Sequence, residues 1–212
     1  MTKQTEKIDE EVEANLMEIV REQKNESIFH LEIDKKYKTI VIDPPWKVNC
    51  NLKDNKYYRC GKPMPYKMMS DKEILDFPIQ SFMDTNCDLF MWVTLSKLPV
   101  GLEIIRLWGF KYHILITWDK TNGIGLNGFH RKTELIIYAY NGKMGIDRKK
   151  GKYIPTLFQE KLTTHSTKPN LFYEIVKERT KEPRIDIFAR KKHEGFDAWG
   201  DEVDEIKGEK LK

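Results

Sequence analysis

Thr39-Ile40-Val41-Ile42-Asp43-Pro44-Pro45-Trp46 decides the reading of this chain. A β-branched apolar run stops abruptly at an acid, two prolines and a tryptophan. Such a run predicts a strand over residues 38–43, buried on both faces as in a parallel sheet. The prolines cannot extend it, because they lack the N–H that a sheet ladder needs. The turn after Asp43 therefore stands at the carboxyl edge of the sheet, where open α/β folds bind their ligands.

The tetrad presents a distinct chemistry at that edge. Asp43 offers a carboxylate acceptor, and the Pro44 carbonyl offers a second on backbone stiffened by Pro45. Trp46 offers a flat aromatic face. Two acceptors beside a stacking plane suit a planar heterocycle with an exocyclic amine. Giving one hydrogen to each acceptor draws the amine lone pair out of conjugation and makes it a better nucleophile. The competing reading is a strand followed by a proline turn with a packed tryptophan, since short motifs recur by chance.

Asp43-Pro44-Pro45-Trp46 closing a buried strand resembles the catalytic motif of the MT-A70 family, adenine-N6 methyltransferases that act on RNA or DNA with S-adenosyl-L-methionine. The likeness continues in the family's order. It runs through Tyr66-Lys67-Met68-Met69-Ser70, Leu89-Phe90-Met91-Trp92-Val93, Leu107-Trp108-Gly109-Phe110, Trp118-Asp119-Lys120 and Glu134. It then takes in Thr164-His165-Ser166-Thr167-Lys168-Pro169 and Phe196-Asp197-Ala198-Trp199-Gly200. It extends from Asp34 to Val203.

The resemblance implies a Rossmann-like α/β methyltransferase with a doubly wound, mostly parallel sheet. The motif order looks circularly permuted, because the catalytic strand precedes the cofactor-side segments. It implies that Asp43, Pro44, Pro45 and Trp46 are catalytic. It places Asp34, Asp43, Lys168, Phe188, Arg190, Gly200, Asp201 and Glu202 near S-adenosylmethionine. It places Trp46, Tyr66, Lys120, His130, Arg131 and Glu134 near the target. Asp201 departs from the family's common Asn; it still accepts from ribose hydroxyls but cannot donate.

The 212 residues suffice for one large domain. Hydrophobic residues make up 40% and charged residues 33%, as in a globular protein, and no apolar run is long enough to span a bilayer. The Lys- and Glu-rich N-terminus has no signal core, so a cytoplasmic protein is expected. Cys50, Cys60 and Cys87 form an odd, widely spaced set that suggests neither a disulfide framework nor a metal site. The net charge of +4 is mild. The local runs Arg148-Lys149-Lys150 and Arg190-Lys191-Lys192-His193 favour a polyanion if they face the site, and otherwise form a solvated surface.

Residues 1–28 read as a helical extension, with Ile8, Val12, Leu16 and Ile19 on one face, outside the methyltransferase domain at 29–205. Residues 206–212 form a charged tail. The long loop at 47–65, rich in cations and tyrosines, is expected to gate the target base. Ser70 and Glu73 form a capping box. Further strands are expected at 87–94, 111–119, 135–140 and 184–190, with helices at 98–107 and 170–180. In the second helix, Leu171, Ile175 and Phe172 are expected to face the sheet. Gly123, Gly125 and Gly128 resemble a phosphate loop but connect two strands, so a dinucleotide fingerprint is rejected; by resemblance this is a second mobile gate. Residues 141–163 read as irregular.

Specificity in so short a chain falls to loops 47–66 and 121–132 or to a partner. The compact form resembles prokaryotic or phage members, which favours DNA over RNA. Alternatives are an RNA enzyme, a cytosine-N4 methyltransferase, or a non-catalytic nucleic-acid-binding subunit of a homo- or heterodimeric pair.

Overall fold

The computed structural model describes residues 35–47, 68–126, 128–147, 153–161 and 168–200. The expected N-terminal helix, the 47–65 gate beyond Lys47, the charged tail and the run Arg148-Lys149-Lys150 lie outside these residues. So do Asp34, Tyr66, Asp201, Glu202, Cys50 and Cys60.

Seven strands form one sheet: β1 (Tyr37–Ile42), β2 (Met83–Val93), β3 (Lys111–Leu126), β4 (Phe129–Asn141), β5 (Leu157–Gln159), β6 (Arg184–Ile187) and β7 (Asp197–Trp199). Their spatial order is β5-β3-β4-β2-β1-β6-β7. β1 pairs in parallel with β2 and β6, as do β3 with β5 and β6 with β7. β4 is antiparallel to both β2 and β3, so it alone runs against the rest. The mostly parallel sheet is thus as expected.

Strand alternation sends side chains to two cores. Ile40, Ile42, Leu89, Met91, Ile137 and Ile187 pack under helices α1 (Asp71–Leu75) and α2 (Leu98–Leu107). Val41, Phe90, Trp92, Ile116 and Tyr138 pack under helix α3 (Asn170–Arg179). The result is a sheet covered on both faces, the arrangement that hydrophobic parallel strands require. The Ser70–Glu73 capping box forms in full at the start of α1.

Four expectations change. The face of α3 that meets the sheet is Phe172, Tyr173, Val176 and Arg179, while Leu171 is 41% exposed. Its register is set by Glu160, whose carboxylate accepts from the Asn170 and Leu171 N–H groups at 3.1 and 2.8 Å. A carboxylate there satisfies helix-end donors and suits the helix dipole. The segment read as irregular contains β5, parallel to β3. The strand read over 184–190 ends at Ile187, because Phe188 turns the chain with φ 61°. Finally, the glycine segment is no open loop. β3 and β4 continue through it as a ribbon, pairing Ile124 with Arg131 and Leu126 with Phe129, after a register break between Asp119 and Ile124.

The chain lays down β2, β4, β3 and β5 on one side of β1 and then returns to place β6 and β7 on the other. The sheet order therefore reverses at β1. A crevice opens beyond the carboxyl end of a strand at such a switch point, and Asp43 is the residue that follows β1.

Candidate active site

Asp43 sits where β1 stops pairing. Its N–H still donates to the Ile187 carbonyl at 3.2 Å, which fixes it over the junction with β6. The Trp46 N–H donates to the Pro44 carbonyl at 2.8 Å, closing a tight turn around Pro45. A carbonyl has two lone pairs, so among the described residues Pro44 keeps one acceptor site. Pro45 and Lys47 clasp Met69 through two backbone bonds of 2.8 and 3.0 Å, which hold the motif to the start of α1.

Lys168 precedes α3 and reaches across the crevice. Its Nζ lies 3.1 Å from Asp43 Oδ1 and 3.1 Å from Glu134 Oε2. Glu134, on β4, also meets Lys120 of β3 at 3.3 Å. Two carboxylates and two ammonium groups thus alternate in a line across β1, α3, β4 and β3. The Asp43 and Lys168 side chains are each only 16% exposed. Lys168 Nζ also stands 4.6 Å from the centre of the Trp92 ring, a cation–π contact.

Burial disfavours every charge here, and the pairing decides which charges survive. For Lys168, burial pulls the pKa down, but Asp43 and Glu134 outweigh it and the net shift is upward. For Glu134, burial pushes upward, but Lys168 and Lys120 outweigh it and the net shift is downward. For Asp43, burial pushes upward and dominates, with Glu134 adding to it against Lys168 and Arg190. The line therefore carries a firmly protonated Lys168, a firmly ionised Glu134, and an Asp43 more basic than an ordinary aspartate.

Most of the sequence-derived residues within the described segments converge on this edge. Asp43, Lys168, Glu134 and Lys120 touch in series, and the charge of Arg190 bears on Asp43. Phe188 is half-buried beside Phe77 and Trp199, at ring distances of 5.1 and 5.4 Å. Gly200 crosses the turn after β6 so closely that a Cβ would lie 2.4 Å from the Ala189 carbonyl. His130 and Arg131 are exposed on the β3–β4 ribbon.

Trp46 departs from the open stacking face expected of it. It is 6% exposed, and its indole N–H donates to the Trp92 carbonyl at 3.1 Å inside the core under α1 and α2. His193 likewise leaves its basic run. It is buried, stacks on Tyr173 at 3.4 Å and 9°, and burial depresses its pKa to about 4. The exposed cations of that run are Lys191 and Lys192.

Two features had no clear sequence signal. Trp92 is the platform for Lys168, though its β-strand context reads simply as core. Asp186, the third residue of the short β6 and flanked by Ile185 and Ile187, is fully enclosed; Tyr173 donates to its Oδ2 at 2.8 Å, while its Oδ1 has no partner among the described residues. Burial raises its pKa to about 8.

The donor set suits a zwitterionic, aromatic cofactor. A basic carboxylate, a buried ammonium, a guanidinium and a half-buried phenyl ring occupy one sheet edge, and the Gly200 backbone approaches without a side chain. These residue types fit the charged and aromatic parts of a methyl donor of the S-adenosylmethionine type.

Comparison with known proteins gives the same assignment. The family model for MT-A70 matches residues 37–202. The Type II methyltransferase M.MunI of a Mycoplasma species is 26% identical over 191 residues, covering 82% of this chain and 80% of that protein. The human N(6)-adenosine-methyltransferase catalytic subunit METTL3 is 26% identical over 165 residues, 73% of this chain but 26% of its own length. An Arabidopsis thaliana N(6)-adenosine-methyltransferase MT-A70-like protein is 31% identical over 94 residues, 44% of this chain and 12% of its own. A match that begins on β1 and runs past β7 takes in the motif, the buried ion line and the whole sheet, and by it the chain belongs to the MT-A70 family of methyltransferases.

Proposed function

We propose that this chain transfers a methyl group from S-adenosylmethionine to the exocyclic N6 amine of adenine in nucleic acid, with DNA the favoured polymer. The observation that carries the reading is the Asp43 carboxylate. It is only 16% exposed at the switch point, tethered to Lys168, and set beside a Pro44 carbonyl with one lone pair open among the described residues.

When bound, S-adenosylmethionine supplies an electrophilic methyl group on sulfur. Asp43 accepts one hydrogen of the target amine and the Pro44 carbonyl accepts the other, which turns the nitrogen lone pair out of the ring. The nitrogen would take that methyl group, with the electron pair of the broken bond left on the sulfur of the departing donor. The nitrogen must then shed a proton. Asp43, made more basic by burial, is placed to take it. Lys168 holds the carboxylate in register, so positioning supplies much of the rate enhancement. No covalent enzyme intermediate is needed. Lys120 and Glu134 border the site, and His130 and Arg131 extend from the ribbon towards a phosphate backbone. A target in a duplex must leave the stack to reach Asp43.

DNA is favoured on the likeness to the Type II methyltransferase M.MunI. The chain matches M.MunI over most of both lengths, whereas it spans about a quarter of the human adenosine methyltransferase. A dimer with a second MT-A70-like subunit would supply further polymer contacts.

The test is transfer of labelled methyl from S-adenosylmethionine to matched single-stranded DNA, duplex DNA and RNA, followed by nucleoside identification. N6-methyladenine in DNA is the expected product. N4-methylcytosine, or product in RNA alone, would replace the substrate assignment. No transfer and no cofactor binding would favour a nucleic-acid platform.

A further inference from the structure

A cavity of about 430 Å³ opens on the α3 face of the sheet, lined in part by Phe90, His113, Ile116, Tyr138, Ile154 and Arg179. It contains none of the residues of the ion line. Asp43 follows the end of β1 and Lys168 precedes α3, whereas His113 lies near the start of the parallel β3 and Arg179 is the last residue of α3. The cavity is therefore at the far end of the domain from the reaction.

Its walls are apolar and aromatic. Phe90 and Tyr138 lie 4.9 Å apart, and the His113 ring meets Tyr138 edge-on at 5.7 Å. The hydroxyl hydrogen of Tyr138 goes to the buried Asp88, 2.8 Å away. Arg179 is the exception among these walls. It is 4% exposed and donates through Nη2 to the Asp147 carbonyl at 2.7 Å. Its Nε and Nη1 are buried and have no partner among the described residues. Among the described residues no carboxylate pairs with it.

An arginine stays charged in any protein environment. A buried cation with one neutral partner is costly, and an unsatisfied group of this kind calls for a further partner such as a water, an ion or a ligand. The volume is in the range of small-molecule sites, and such sites combine apolar walls with few polar anchors. We propose that this cavity binds a small aromatic monoanion, a flat apolar body carrying one carboxylate, with Arg179 as its countercharge.

The probe is 2-naphthoate, compared with 2-naphthylmethanol, its uncharged counterpart, by calorimetry on the full chain. The carboxylate is expected to bind about tenfold more tightly, a difference of about 1.4 kcal/mol. Arg179→Met should erase that preference and Arg179→Lys should keep most of it. Ile154→Trp, which fills the cavity, should abolish binding of both probes. S-adenosylmethionine should neither displace 2-naphthoate nor lose its own binding in these variants, which also reports that they fold. Equal binding of the two probes would overturn the proposal. So would displacement by S-adenosylmethionine, indifference to Ile154→Trp, or no binding at millimolar probe.

Discussion

The ammonium of Lys168 lies 3.1 Å from the carboxylate of Asp43, and this contact ties the start of α3 to the end of β1. It bridges the two sides of the switch point, since α3 leads into β6 on one flank of β1 while β2 lies on the other. Glu134 holds the same ammonium from β4 at 3.1 Å. The geometry of the reacting edge is thus set by a cation shared between two carboxylates.

Removing that cation should cost stability as well as activity. Lys168→Met leaves the largely enclosed Asp43 without its ion-pair partner and Glu134 with Lys120 alone, and breaking a pair so shielded from solvent costs about 3 kcal/mol. Glu134→Gln should cost less, because Lys168 keeps Asp43. Denaturant unfolding of the two variants checks the order. A Glu134→Gln loss larger than that of Lys168→Met would contradict the arrangement.

Asp43→Asn tests the carboxylate itself. The amide keeps the shape but loses the charge and the basicity. Methyl transfer should fall on the order of 100-fold or more, comparable to deleting one preorganised electrostatic group. Cofactor affinity should change far less. Equal losses in transfer and in cofactor binding would assign Asp43 to binding alone.

The fold was legible where one element carried its own signal. The β1 run, the two prolines, the Ser70–Glu73 cap and the apolar helix at 98–107 each fix a local structure by sterics or hydrogen bonding. The site was legible as a set of residue types, but not as a set of contacts. Nothing in the order Asp43, Glu134, Lys168 states that the ammonium stands between the acids; that follows from sheet order. β5 was missed because three residues paired on one edge leave little pattern. The face of α3 was read correctly at Phe172 but misread elsewhere, because Leu171 is apolar yet exposed, while Arg179 is charged yet buried.

Two buried groups against Tyr173 should give opposite pH slopes. His193 is neutral in the fold, its pKa lowered to about 4 from 6.5, so the unfolded chain binds more protons between those values. Its contribution is present above pH 6.5 and is lost as pH falls towards about 4. Asp186 has a pKa raised to about 8 from 3.8, so the folded chain binds more protons in that window. Its contribution is present at low pH and is lost as pH rises towards about 8. Unfolding free energies across pH 4 to 8 should show a flatter acid limb for His193→Gln. They should show a flatter fall towards pH 8 for Asp186→Asn. Parallel curves for wild type and both variants would refute the assignment.

Gly200→Ala should disturb the turn after β6. The added Cβ would lie 2.4 Å from the Ala189 carbonyl oxygen and 2.8 Å from its nitrogen, both backbone atoms that cannot swing away. Overpacking of this kind costs about 1–3 kcal/mol. The displaced segment carries Phe188 and Arg190, so cofactor affinity should weaken along with the melting temperature. A stable variant with normal cofactor binding would remove this turn from the cofactor side.

Trp46→Phe separates the two roles open to the tryptophan. The phenyl ring retains a stacking surface but cannot donate to the Trp92 carbonyl, 3.1 Å from the indole nitrogen. An acceptor left without its partner in a buried setting costs about 1–3 kcal/mol. With Trp46 only 6% exposed, the loss should register in unfolding free energy. The KM for the nucleic acid should change little, because the ring offers the target almost no surface. The same carbonyl belongs to the residue whose ring underlies Lys168, so a modest fall in kcat should accompany the loss of stability. A large rise in KM with unchanged stability would instead restore the tryptophan to the target base.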